Sequence, residues 1–246
     1  MGFWRLPLLL LAPVLIIAVF AADGGLIGLL WNPVAFTIVV PGSVLATLVP
    51  APGVALAHLR YSLLHLPNDT FFSLEQLEAR LLSWGNTRRR QGNPGLEHIL
   101  DAETDEFCRR VLQLVIDAHP PVDIRQALEH ELVFRQARNQ QALSLLGNLA
   151  GYLPTMGIVG AVLGLIQVLS GIHDPDILAE GIATAFVATF YGVALSNLLV
   201  LPLQQFLDHR LQLQTRFYWA LMDGMDAMLH GANPAAVVDR IRVWHQ

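Results

Sequence analysis

The chain of 246 residues has one cysteine, no lysine and few charges of either sign, and each shortage excludes something. Cys108 alone makes no internal disulfide, and no metal-ligand spacing surrounds it. All fifteen basic residues are arginine, which reads as a genome composition bias and not as chemistry. Charged residues are 14% of the chain, where a soluble domain averages about 25%. The net charge of −5 and a pI near 5.9 exclude a basic nucleic-acid-binding domain. Phosphate-binding loops, dinucleotide glycine fingerprints and zinc spacings are absent, so no enzyme activity, cofactor or metal is expected. Nine histidines are scattered. His58 and His65, one heptad apart, read as packing near a membrane surface.

What the chain does have is 54% hydrophobic residues and a mean hydropathy of +0.48, concentrated in four uncharged runs. The runs are Leu6–Ala22, Gly24–Leu59, Asn139–Ile172 and Gly181–Leu207. A bilayer core takes about 20 apolar helical residues. The expected fold is therefore an all-α integral membrane protein with spans near Trp4–Ala21, Leu29–Val49, Tyr152–Leu169 and Ile182–Leu203. The third run has 34 residues, roughly 51 Å of helix, so its Asn139–Gly151 end is expected to continue as helix outside the bilayer. A cleaved signal peptide is the alternative for the first run, because Arg5 precedes its apolar core and small residues follow.

Charge orients the spans. Arg5, ten arginines between spans two and three, and four after span four account for every basic residue. The opposite loops carry only Asp23, Asp174, Asp176 and Glu180. The positive-inside rule then puts both termini in the cytoplasm. Four segments follow: a hairpin over 1–50, a helical cytoplasmic region over 51–151, a second hairpin over 152–207, and a cytoplasmic tail over 208–246. In the cytoplasmic region Leu74, Leu77, Leu81 and Leu82 recur at helical spacing. Arg88-Arg89-Arg90 and Gln91-Gly92-Asn93-Pro94-Gly95 interrupt the pattern, which resumes from Leu96 to Ile116. His119-Pro120-Pro121 breaks it again, and Asp123 is a plausible cap for a helix over Ile124–Arg138.

The spans contain no interior carboxylate, arginine or histidine. An ion path needs a titratable or coordinating group, so a conducting assembly would take its carrier acid from a partner helix. Small residues recur at Pro154, Gly157, Ala161 and Gly164, and at Ala188, Gly192 and Ser196, as a close-packing seam would require. Thr155, Thr184, Thr189, Ser196 and Asn197 either line a wet path or bond back to their own helices. Pro154 and Pro202 each free a carbonyl near the inner face and soften a helix there.

The run Tyr152-Leu-Pro-Thr-Met-Gly-Ile-Val-Gly-Ala-Val-Leu-Gly-Leu-Ile166 and the run from Gly181 to Asn197 resemble the third and fourth spans of bacterial flagellar stator channels. These belong to the MotA/TolQ/ExbB proton-channel family. Asn32-Pro33-Val-Ala-Phe36 is similar to the start of its second span. The resemblance implies an inner-membrane ion channel, with proton the expected ion, made of five copies around a MotB-type partner that supplies the carrier Asp. It implies torque on a FliG-type rotor and a role in flagellar motility and chemotaxis. Thr189 falls on the threonine that faces the partner's aspartate, with Thr155 and Thr184 as further path-facing groups, and Pro154 and Pro202 on the family's two prolines. Arg89 and Glu97 match the charged pair presented to the rotor, with Arg90 taking the place of Arg89 if the register shifts by one. Asn93-Pro94-Gly95 replaces an apolar stretch of the family and Pro41 a glycine. Within the wider group an ExbB/TolQ-like energiser, or a channel serving gliding or phage defence, is the alternative; outside it, a non-conducting membrane scaffold.

Overall fold

The computed structural model describes residues 27–64, 73–171 and 173–245, together with six scattered positions between Leu11 and Ala22. The first expected span, Trp4–Ala21, and the signal-peptide alternative for it fall outside the continuously described residues. Among the described residues the secondary structure is helical throughout.

A 3₁₀ turn at Ile27–Leu30 leads to α1, Pro33–Leu48. Asn32 starts α1: its backbone is extended, its side chain accepts from Ala35 N at 2.9 Å, and Pro33 follows where no amide donor is needed. Next come α2, Gly53–Leu64, and α3, Leu74–Gln91. After a 3₁₀ turn at Asn93–Leu96 lie α4, Glu97–Ala102, and α5, Glu106–Ile116, the latter capped by Asp105 accepting from Cys108 N. The 50-residue α6 runs over Pro121–Ser170. Asp174 caps α7, Pro175–Leu195. A π-helical stretch, Ser196–Val200, joins it to α8, Leu201–Leu229, and α9, Pro234–Arg242, comes last.

Three local expectations are revised. The arginine triplet does not interrupt α3, which runs on to Gln91. The stretch from Leu96 to Ile116 is two helices, because Glu103 turns extended and accepts from the amides of Thr104 and Asp105. The helix expected over Ile124–Arg138 begins at Pro121, whose ring suits a first helical turn, and continues unbroken through the third apolar run.

Two described helices are long and apolar enough to cross a membrane: Pro121–Ser170, and the joined α7–α8 helix over Pro175–Leu229. A third candidate is α1 with α2, bent by 119° at the break between them. The π stretch precedes Pro202, whose ring would clash with the Leu198 carbonyl in a regular helix; widening the turn relieves that clash.

The chain divides into two compact units. The first, Met1–Asp69 with Asn139–Asp208, has a small core of Ala35, Val39, Leu153, Val187 and Ala188. It leaves large apolar side chains such as Ile158, Val162, Leu165 and Phe186 exposed, as a lipid- or subunit-facing surface would. The second unit, Thr70–Arg138 with His209–Gln246, has an ordinary core that includes Leu77, Leu81, Phe107, Leu128, Leu221 and Met225. There the Phe107 and Tyr218 rings stack at 4.4 Å, and the Arg135 guanidinium lies 5.6 Å over Phe107.

In the second unit burial raises the Cys108 thiol and the Tyr218 phenol well above their ordinary values of 9.0 and 10.0, and the Asp105 carboxylate adds to both. The folded unit keeps these protons where the unfolded chain releases them. Their contribution is therefore full below pH 9 and falls above pH 9 for the thiol and above pH 10 for the phenol, by about 1.4 kcal/mol per pH unit for each group. Thermal unfolding of the protein in detergent between pH 8 and 11 should show this decline, and it should flatten in Tyr218→Phe. Cys108 should also stay unlabelled by maleimide at pH 8 until the protein is denatured.

Candidate functional site: the α6–α7 helix pair and the charged turn after α3

In the first unit α6 and α7 meet backbone to backbone. A Cβ added at Gly164 would lie 2.6 Å from Gly181 O, and one at Gly192 would lie 2.6 Å from Leu153 O. At Gly157 it would sit 3.0 Å from Ala188 O, and at Gly160 2.6 Å from the Ala188 methyl. The seam is thus Leu153, Gly157, Gly160 and Gly164 against Gly181, Ala185, Ala188 and Gly192. Gly160 takes the place expected of Ala161, which is half-buried. Without a hydrophobic force between helices in lipid, such close approach is what holds them together.

The polar groups divide by what they bond. Thr184 is 2% exposed, and its Oγ1 accepts from Asn32 Nδ2 at 2.8 Å. Tyr191 Oη donates to Leu30 O and accepts weakly from Asn32 N at 3.4 Å. These bonds fasten the start of α1 to α7. Ser196 Oγ, also buried, donates across to Ala150 O at 2.7 Å. Thr155 and Thr189 differ: both are exposed and bond only to their own helices, Thr155 to Tyr152 O at 2.9 Å and Thr189 to Ala185 O at 3.1 Å. A hydroxyl that donates backwards keeps its lone pairs for an outside partner. Asn197 is likewise exposed and bonds to Val193 O. Pro154 lies inside α6, its Cα 3.1 Å from a Cβ built on Gly192, and Pro202 lies in the first turn of α8. His58 bonds Asn139 at 2.7 Å, and His65 is outside the described residues.

In the second unit the arginine triplet at the end of α3 separates into roles. Arg88 is half-buried and donates to Met228 O at 2.7 Å and to Asn93 Oδ1 at 3.0 Å. Arg89 is exposed and donates to Ala232 O at 2.9 Å. Arg90 is exposed and has no partner among the described residues; the same holds for Glu97 at the start of α4. A cavity of about 300 Å³ lies beside Arg88 and Arg89, between Gly85, Met228 and Val237. Sequence reasoning passed over Arg88, Asn32 and Tyr191. The Asn-Pro pair before an apolar run was a legible cap signal, whereas the long-range bonds carried no sequence signal.

The MotA/TolQ/ExbB proton channel family profile matches residues 100–218, which span the seam and both of its threonines. Over those residues the chain is similar to this family. Motility protein A of Bacillus subtilis (strain 168) is 25% identical over 215 residues, covering 87% of this chain and 79% of that protein. Chemotaxis protein PomA of Vibrio alginolyticus is 28% identical, covering 66% of this chain and 64% of that protein. The fold matches the structure of C. jejuni MotAB with a TM-score of 0.90 at 21% identity, over 99% of this chain and 96% of that one. It matches the flagellar MotAB stator complex from Bacillus subtilis with a TM-score of 0.80 at 24% identity, over 92% and 91%. Family and geometry meet in the same helix pair.

Seam and hydroxyls make separable predictions, each read by thermal unfolding in detergent. Gly164→Ala and Gly192→Ala should cost about 1–3 kcal/mol, because backbone and not a flexible side chain must yield, while Gly151→Ala should cost nothing. Thr184→Val orphans the Asn32 amide and should cost about 1–3 kcal/mol. Thr189→Val removes only a local bond and should stay within about 0.5 kcal/mol of the native protein.

Proposed function

We propose that this chain is the channel-forming subunit of a bacterial flagellar stator, partnered by a MotB-type protein, and that it converts proton flow into torque. The observation that carries this reading is a contrast. Between Asn139 and Ile172 and between Ile182 and Leu207 there is no carboxylate, arginine or histidine, yet two threonine hydroxyls stand exposed beside a glycine seam. Such a helix pair lines a path but needs its carrier acid from outside, which the aspartate of a partner helix would supply.

In this reading the chain crosses the inner membrane four times with both termini inside, over the segments 1–50, 51–151, 152–207 and 208–246. Five copies ring the partner. Thr189 faces the partner's aspartate and Thr155 lines the same route. Thr184, held by Asn32, serves as its wall and not as a relay. Pro154 and Pro202 leave α6 and α8 with one backbone bond fewer each, so the helices bend between two states as the aspartate is loaded and released. Each charge that crosses is worth about 2.3 kcal/mol per 100 mV. Arg90 and Glu97, exposed and without a partner among the described residues, meet the FliG-type rotor through salt-sensitive contacts; Arg89 stands beside them with one donor committed to Ala232.

The test is motor rotation in a host whose other stator genes are deleted, with this gene and its partner retained. Rotation should stop with a protonophore and with Thr189→Val at unchanged protein level. Paralysis of the unaltered pair despite normal expression would overturn the flagellar assignment, and full torque in Thr189→Val would remove the threonine from the path.

A further inference from the structure

The turn that separates Arg90 from Glu97 is built from polar contacts, and Arg88 is at its centre. Asn93 accepts from Arg88 Nε at 3.0 Å through Oδ1 and donates from Nδ2 to Val115 O at 2.8 Å. Arg88 Nη1 in turn donates to Met228 O at 2.7 Å. One guanidinium and one amide thus join the end of α3 to the last turns of α5 and α8. The carbonyls they hold lie at helix C-termini, where partial negative charge collects. The chain between is shaped to fit. Gly92 has φ +77°, a conformation that suits glycine, and Pro94 lies at the start of the 3₁₀ turn. Gly95 comes so close to α3 that a Cβ there would meet Gln91 Cβ at 2.5 Å and Thr87 Cγ2 at 3.4 Å. Arg89 and Arg90 precede this turn and Glu97 follows it, so its geometry fixes how the opposite charges are spaced.

We propose that Arg88 and Asn93 are positioning residues: their relay holds the turn so that Arg90 and Glu97 present a fixed charge spacing to the rotor. This rests on the rotor-surface reading above. Asn93-Pro94-Gly95 stands where the family resemblance leads one to expect apolar residues. Hydrogen bonds from a charged donor fix direction as well as distance, which apolar packing does not. Among the described residues Arg88 meets only neutral acceptors, and it holds the turn without cancelling the charge of its neighbours.

The experiment measures high-load torque per stator in the host, with the full complex in place. Membrane protein level and proton permeability of vesicles carrying the complex are followed in parallel. Asn93→Leu and Arg88→Lys, the latter keeping a cation but losing the separated guanidinium nitrogens that reach Asn93 and Met228 together, should each lower torque several-fold while level and permeability stay native. In an Arg90→Ala background Asn93→Leu should add little, because the surface it positions is already gone. Full torque in both relay variants overturns the proposal. So does a loss that adds fully to that of Arg90→Ala, or one that only tracks lost protein in both variants. Unchanged torque in Arg90→Ala and in Glu97→Arg would instead overturn the rotor-surface reading, and that result is independent of the relay variants.

Discussion

Backbone contact between α6 and α7 is the constraint from which the first unit follows. At Gly164 and Gly181, and again at Gly192 and Leu153, the helices approach until a methyl group would strike a carbonyl oxygen. In lipid, where apolar side chains gain nothing by leaving their surroundings, dispersion over such a close seam replaces the hydrophobic effect as the adhesive. The seam uses one face of each helix, α1 covers a second face of α7, and the rest turn outward. Thr155, Thr189, Phe186 and Ile158 are outward for that reason. The outward faces are largely apolar, and the Thr155 and Thr189 hydroxyls are exposed among them.

The same economy governs hydrogen bonds. Buried hydroxyls in the first unit are spent on holding helices together: Thr184 through Asn32, Ser196 through Ala150, and Tyr191 through the Leu30 carbonyl. Two buried hydroxyls of α1 do not follow this: Ser43 Oγ has no partner among the described residues, and Thr47 Oγ1 donates to Ser43 O in its own helix. Exposed hydroxyls bond locally and keep accepting capacity. In α7 a single residue type therefore does two jobs. Thr184 and Thr189 are five residues apart in one helix and fall on opposite sides of that division.

The second unit obeys soluble-protein rules. Its aromatic and aliphatic core carries the folding, and its charges are arranged around helix ends. Glu103 accepts from Arg80, while Asp226 draws in Arg125 and Arg240. Surface pairs of this kind contribute little to stability one by one. Within the triplet, Arg88 donates to the Met228 carbonyl in the last turn of α8 and Arg89 to Ala232 in the loop after it, while Arg90 is exposed with no partner among the described residues.

The amino-acid sequence alone determined the membrane class, the apolar runs and the uncharged interior of the spans, whereas the caps at Asn32, Asp105 and Asp174 came from the structure. Apolar length and absence of charge are local properties that show in any window of the chain. The small-residue seam was legible as a stripe, though not in register: Gly160 and not Ala161 meets the partner, because the facing helix decides which side of the stripe is used. The candidate threonines were legible as polar groups in apolar runs. That Thr184 is committed to Asn32 while Thr189 is open depends on residues more than 150 positions apart. The arginine triplet carried no sign of its division of labour, since the carbonyls that claim Arg88 and Arg89 come from the end of α8 and the loop after it, some 140 residues away. Composition and periodicity decide what each segment is; only folding brings distant donors and acceptors together and so decides which of several like residues remains free to act.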